Sequence, residues 1–519
     1  MRMTMFRRWL ASGVLCAALT QSGPFSATAQ AAEAPQATIV SGPVVGVTAD
    51  GADKFLGMPF AAPPVGPLRW KPPAAPASWT APREVARHAT RCSAPSAGDG
   101  PRLVNEDCLY LDVYRPAGTA PGAKLPVTIY IHGGGNYSGS TDIYDGSRMA
   151  TQGKTIVVAP AYRLGAFGFL AAPALTAEDP DNGSGGYGLL DSIKALQWVR
   201  DNIAAFGGDP GDVTLTGQSS GGTNVCSLLA APAAKGLFNR AIIQSGLCQV
   251  NPSLAAAEKT GADVAAKLGC ADDASMAACL RAQSADAVLG AWPTGPTGAP
   301  YGTKLLPQSP MQAFASGDFA RVPTLVGFAR NEMYGFMHAM YPLSEDGFEA
   351  AVKKAFPDKA TELLERYATS KFPHNEYAFG ALRGDSFFVC HAFDVAKLIG
   401  KFAPVSMYEF ADMTTPNWKS LGASQVSPPG YHVGAGHTSE LYYLLDYKAI
   451  DGALNAEQLE LGRKMIGMWV DFGRKSDASE WPAYTPPDGK VVVLQPPAAG
   501  GIETTTDAYK AHNCDVWAP

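Results

Sequence analysis

Past its first 31 residues the chain has no apolar run approaching the roughly 20 residues that a bilayer-spanning helix needs. It has no basic surplus either. Its 41 Lys and Arg stand against 47 Asp and Glu, a formal charge of −6, which argues against nucleic acid as a partner. The nine cysteines never fall in the paired C-x-x-C spacing of a zinc site. No internal repeat or low-complexity linker divides the chain, so residues 32–519 are expected to form one large domain. With 46% hydrophobic residues a sizeable core can be buried, whereas composition leaves the oligomeric state open.

The N-terminus reads as an address rather than as structure. Arg2, Arg7 and Arg8 precede an apolar stretch from Trp9 to Leu19, and small residues follow up to Ala29-Gln30-Ala31. That order is the pattern of a cleavable secretory signal. The arginine pair suggests a twin-arginine route, but its flanking residues fit that poorly. Cleavage near Ala31 removes three arginines and no acid, taking the charge from −6 to −9. A secreted or periplasmic protein is expected.

Cysteine usage agrees with export. Cys16 leaves with the signal, and eight cysteines remain for an oxidising compartment. Cys92 and Cys108 bracket a short Gly/Ser/Pro loop, Cys270 and Cys279 close another, and Cys390 with Cys514 would pin the C-terminal tail to the body. Cys226 and Cys248 are left over. They read as buried free thiols rather than as a fourth bridge, because unpaired cysteine often serves as a small hydrophobe.

Along the chain, strand-like runs alternate with helical ones. "ATIVSG" and "VVGVTA" suggest an opening hairpin, and "LYLDVY", "PVTIYIHGGG", "TIVVAPAY", "DVTLTG" and "RAIIQSG" read as short buried strands. "LLDSIKALQWVRDNIAAF" has the three-to-four spacing of a helix. Such alternation predicts an α/β fold, a mostly parallel sheet covered on both faces. Beyond residue 250 the pattern weakens into helices and Pro/Gly loops, with further strands expected at "VPTLVGF" and "VSMYEF".

Two glycine-rich stretches carry the chemistry. "GQSSG", residues 217–221, follows a strand and opens a helix, the setting of a nucleophile elbow with Ser219 at its apex. "HGGGNYSGS" ends another strand, and its bare backbone can aim N–H groups at a developing oxyanion. A flexible turn is the competing reading, and a phosphate loop is disfavoured because no GKS or GKT lysine follows.

With these motifs stand "FLGMPFAAPPVGPLRWKPP", "NEDCLYLDVYRP", "AYRLGAFGFL", "GLLDSIKALQWVRDNIAAFGGDPGDVTLTGQSSGG" and "QSG", in this order along the chain. From about residue 38 to its end the chain therefore resembles the type B carboxylesterases, the cholinesterase-like branch of the α/β-hydrolases. The resemblance implies an α/β-hydrolase fold, a twisted sheet with helices on both faces and large helical and loop insertions. It implies Ser219 as nucleophile and an oxyanion hole from the N–H groups of Gly134, Gly135 and Ser220. The acid falls on Glu332 in "TLVGFARNEMYGF", although Asn331 and Met333 replace the acid and glycine common around it. A solvated surface charge is the alternative for Glu332. Of eight histidines, His437 in "GAGHTSELYYLL" matches the base, with His432 its nearest rival and His132 suited to shaping the oxyanion loop. The order Ser, Glu, His is that of the fold. Neither metal nor organic cofactor is required.

What is missing bears on the substrate. Choline esterases of this family usually carry glutamate before the nucleophile and tryptophan in the first disulfide loop; here stand Gln218 and a loop from Cys92 to Cys108 without tryptophan. A cation–π site is unsupported there. Asn136 replaces the aromatic residue often found after the glycines and is expected to make that wall more polar. The reading is a carboxylesterase of small non-choline esters. A specialised hydrolase of toxin, carbamate or polyester esters would share every residue, and non-catalytic adhesion modules of this fold typically lose a triad residue that is present here.

Overall fold

In the computed structural model the expected sheet is present, with eleven strands. Residues 34–517 are described, apart from 96–101, 273, 294, 296, 418–428, 449–451, 473, 475–479, 487 and 488. The expected signal, residues 1–31, lies outside the described residues.

The opening runs pair as an antiparallel hairpin, β1 (Gln36–Ile39) with β2 (Gly42–Val45). The second run then breaks at Gly46, where a Cβ would stand 2.4 Å from the Lys54 carbonyl oxygen. Its remainder enters the main sheet as β3 (Val47–Ala49), followed by β4 (Ala52–Pro59) and β5 (Tyr110–Pro116). Next come β6 (Leu125–Ile131), β7 (Ile156–Pro160), β8 (Gly208–Gln218) and β9 (Arg240–Gln244). The last four are β10 (Thr324–Ala329), β11 (Val405–Phe410), β12 (Val491–Leu494) and β13 (Glu503–Thr505). Across the sheet the order is β13, β12, β11, β10, β9, β8, β6, β7, β5, β4, β3. From β12 to β7 every neighbour is parallel, and both margins are antiparallel.

The apolar runs lack polar alternation because both faces are covered. Successive residues point to opposite sides. Ile129, Ile243, Val326 and Met407 enter one core cluster, while their neighbours Tyr130, Ile242, Leu325 and Tyr408 enter another. On the first side lie α1 (Tyr187–Asn202), α2 (Ser220–Ala230) and α4 (Cys390–Ile399); α3 (Asn375–Gly384) precedes α4, and α5 (Ala456–Asp471) packs on the second side. The helix read from "LLDSIKALQWVRDNIAAF" is α1 with a closing turn at Ile203–Phe206, stopped by left-handed Gly207.

Cys92–Cys108, Cys270–Cys279 and Cys390–Cys514 are bridged as expected. The expectation of free thiols at Cys226 and Cys248 is overturned, since these two form a fourth disulfide with Cα atoms 5.5 Å apart. The segment that leaves β9 runs against the first turn of α2, where a Cβ on Gly222 would stand 2.9 Å from Gly246 Cα. There the Leu247 N–H donates to Thr223 Oγ1 at 3.0 Å, which sets Cys248 beside Cys226.

Candidate active site

Strands β6 and β8 lie side by side, with Gly217 opposite Ile131, so their following loops leave the same edge of the sheet. The turn after β8 is too tight for side chains at its flanks. A Cβ on Gly217 would stand 2.5 Å from the Gly221 carbonyl, and one on Gly221 would stand 2.0 Å from the Ile131 oxygen. Ser219, between them, has φ 58° and ψ −125°, a conformation that persists only where surrounding structure imposes it. Its N–H donates to the Gln244 carbonyl and its carbonyl accepts from Thr223 N–H, both at 2.9 Å.

The loop after β6 turns through positive φ at Gly134 (117°) and Gly135 (66°). The Gly134 carbonyl accepts from Ser138 N–H and Ser138 Oγ at 2.9 Å and from Tyr137 N–H at 3.2 Å. A trans peptide then directs the Gly135 N–H the opposite way. Ser220 opens α2, where the first N–H groups of a helix have no partner within it. His132 supports this loop, its Nδ1 2.9 Å from the Gly133 carbonyl and its ring stacked on Tyr162. Burial pushes its imidazole down to about 4, which keeps it neutral.

Asn136 corrects an expectation. Its backbone φ of 61° turns the side chain inward, where its amide donates to Thr297 O at 2.7 Å and its oxygen accepts from Asn224 and from Tyr162. It does not line the cavity; Tyr137 does.

Glu332 lies in the turn after β10, 1% exposed, so the surface-charge reading fails. One carboxylate oxygen accepts from Ala329 N–H at 2.9 Å, and the other is 2.5 Å from His437 Nδ1. Asn331 joins the acid and histidine segments: its N–H donates to Ala435 O at 2.9 Å, and its Oδ1 accepts from Ala435 N–H at 3.1 Å. Met333 lines the cavity. With Nδ1–H given to Glu332, His437 Nε2 is left as acceptor, and the Gln218 amide nitrogen lies 3.2 Å from it. His432 is outside the cavity lining, its Nδ1 accepting from Gly434 N–H.

Ser219, Ser220, Gly134, Gly135 and His437 border one cavity of about 430 Å³, ample for a small organic molecule. Among the described residues its lining contains no Asp, Glu, Lys or Arg; Tyr137, Leu247, Val250, Phe336, Phe387 and Phe388 supply much of the wall. The Phe388 ring lies 4.8 Å from that of His437. Sequence periodicity missed Phe387 and Phe388 because they ride on a π-helical turn, Asp385–Val389, between α3 and α4. Also missed was Glu440, three residues beyond His437, where burial pushes the carboxyl up to about 8. Among the described residues no group of three or more His, Cys, Asp or Glu is placed to hold a metal ion, and no helix is long and apolar enough to cross a membrane.

This architecture is the α/β-hydrolase fold. The family described as Carboxylesterase family matches residues 33–517. The chain is 32% identical to the cocaine esterase of Homo sapiens over 508 residues, covering 90% of this chain and 87% of that protein. It is 33% identical to the fumonisin B1 esterase of Sphingopyxis macrogoltabida over 469 residues, 86% and 83% of the two chains. A solved PNB esterase superposes with a TM-score of 0.74 at 31% identity, covering 93% of this chain and 99% of its own. The chain belongs to the carboxylesterase family, and it is a carboxylic ester hydrolase acting on small esters.

Proposed function

We propose that Ser219 is the nucleophile of this hydrolase, His437 its general base and Glu332 the acid that orients the imidazole. The hydrogen bond from His437 to buried Glu332, at the wall of the cavity that Ser219 enters, carries the reading. His437 Nε2 takes the Ser219 hydroxyl proton as Oγ bonds to the ester carbonyl carbon. The oxygen's charge is met by the N–H groups of Gly134, Gly135 and Ser220. The alkoxide leaves with the proton from His437, and the acyl-serine is hydrolysed by water that the same imidazole activates. No resident group beyond these side chains enters the scheme.

Uncharged esters are the substrates that the uncharged described lining suits, in preference to choline esters. The name of the fumonisin B1 relative favours a second reading, a hydrolase specialised for a toxin ester. The protein is exported by cleavage near Ala31; four disulfides among the described residues support this reading. N-terminal sequencing of the mature protein tests that part. The catalytic assignment is tested with a fluorophosphonate, which is expected to label Ser219 in the folded enzyme. Labelling at another residue, or full hydrolysis by Ser219→Ala, overturns it.

A further inference from the structure

A buried imidazole from the C-terminal tail stands between two carboxylates, Asp385 and Glu409. His512 lies in the turn between Ala508–Ala511 and Cys514–Trp517 and is 7% exposed. Its Nδ1 is 2.5 Å from Asp385 Oδ1, and its Nε2 is 3.3 Å from Glu409 Oε1. Two carboxylates facing both ring nitrogens need two N–H donors, which only the imidazolium has. Burial alone would lower its pKa, but the two carboxylates outweigh burial and push it up to about 10. Tyr367 completes the group by donating to the second Asp385 oxygen at 2.8 Å.

Both partners of His512 connect to the proposed acid–base pair through a short chain of neighbours. Asp385 opens the π-helical turn, and the preceding Gly384 lies beside Glu332, where a Cβ would make an ordinary van der Waals contact with the Glu332 Cβ at 3.5 Å. Phe388 in the same turn packs on His437. Glu409 accepts from Arg330 Nε at 2.6 Å, and Arg330 is two residues before Glu332, its own N–H held by the Phe410 carbonyl. The Cys390–Cys514 bridge fastens the tail to the start of α4, directly after the π-helical turn.

We propose that His512 is a positioning residue for hydrolysis: by holding Asp385 and Glu409 together it fixes the acid-bearing loop and the Phe387–Phe388 wall against His437. This rests on the assignment of Ser219, His437 and Glu332 above. A neutral side chain would leave at least one buried carboxylate without its countercharge. The turn would then be free to shift relative to Glu332, and ångström-scale displacement of reacting groups can cost on the order of 100-fold in rate.

The test uses the full-length enzyme with His512→Gln, which retains a donor and loses the charge, and His512→Arg, which restores the cation. Competent sites are counted by fluorophosphonate titration, and kcat and KM per titrated site are measured for an acetate ester and a bulky aryl ester of the same alcohol. His512→Gln is expected to lower per-site kcat for both esters by about tenfold or more and to raise KM for the bulky ester alone, with partial recovery in His512→Arg. A purely structural role would lower the melting temperature and the number of titratable sites while leaving the per-site constants alone. That result overturns the proposal. Should His512→Gln not fold, Tyr367→Phe removes one hydrogen bond from Asp385 and is read the same way: a changed ratio of kcat/KM between the two esters supports the proposal, and an unchanged ratio overturns it. If wild-type enzyme is not labelled at Ser219, the site assignment itself fails, an outcome distinct from labelled variants with unaltered constants.

Discussion

Gly221 and Ile131 stand so close that one added methyl group on the glycine would lie 2.0 Å from the isoleucine carbonyl oxygen. The contact is between backbone and backbone, so no rotamer can relieve it. Gly221→Ala is expected to push α2 away from the end of β6 and lose about 1–3 kcal/mol of stability. Activity is expected to fall further than stability, because the same displacement separates Ser220 from the glycine loop. Melting temperature and fluorophosphonate labelling of one preparation check this; an active, normally melting variant would contradict it.

Ser219→Ala is expected to lose on the order of 10⁴–10⁶ in turnover, with folding kept. His437→Ala is expected to lose about as much, and the double variant little more, since a nucleophile without its base is already disabled. Glu332→Gln retains a group able to accept from Ala329 N–H, so a smaller loss is expected. Single-turnover rates for the four variants decide between one unit and independent contributions.

The uncharged described lining makes a prediction about ester charge. For a single acyl group, kcat/KM is expected to be highest for an uncharged alcohol and lower for choline, and a free carboxylate on the acyl side is expected to lower it too. Burying an unpaired carboxylate against Phe336, Phe387 and Phe388 is unfavourable, and the described lining offers choline no carboxylate as countercharge. Preference for the choline ester would show that Phe336 or another ring forms a cation site after all.

Stability is expected to fall on the alkaline side through His512. Its pKa is raised from 6.5 to about 10, so its contribution is complete below pH 6.5 and is lost as pH rises through 10. Glu440, raised by burial from 4.5 to about 8, loses its own contribution between those values and adds little above pH 8. Between pH 8 and 10 the wild-type melting temperature is therefore expected to drop more steeply than that of His512→Gln. Parallel curves for the two proteins would rule this out.

How much of this was legible beforehand depended on what kind of constraint a residue obeys. Gly217, Gly221, Gly134 and Gly135 answer to backbone sterics, which leave a local signature, and strands buried on both faces leave runs such as "VTIYI". The assignment of Glu332 and His437 as acid and base rested on resemblance alone. Packing across the chain left no such trace. The inward turn of Asn136 depends on Asn224, Tyr162 and Thr297, and the pairing of Cys226 with Cys248 depends on how the segment after β9 packs against α2. Phe388 reaches His437 because a π-helical turn interrupts the ordinary helical register.

The order in which the site's parts occur along the chain has a consequence for biosynthesis. Ser219 and the segments proposed to form the oxyanion hole lie within the first 220 residues, whereas Glu332, His437 and His512 follow far behind. On the proposed assignment, a nascent chain or an early-truncated product thus carries the Ser219 hydroxyl without the imidazole that would activate it. On the proposed assignment, fragments that end before His437 are expected to be inactive towards esters, so ester cleavage would report on chains that extend at least through that residue.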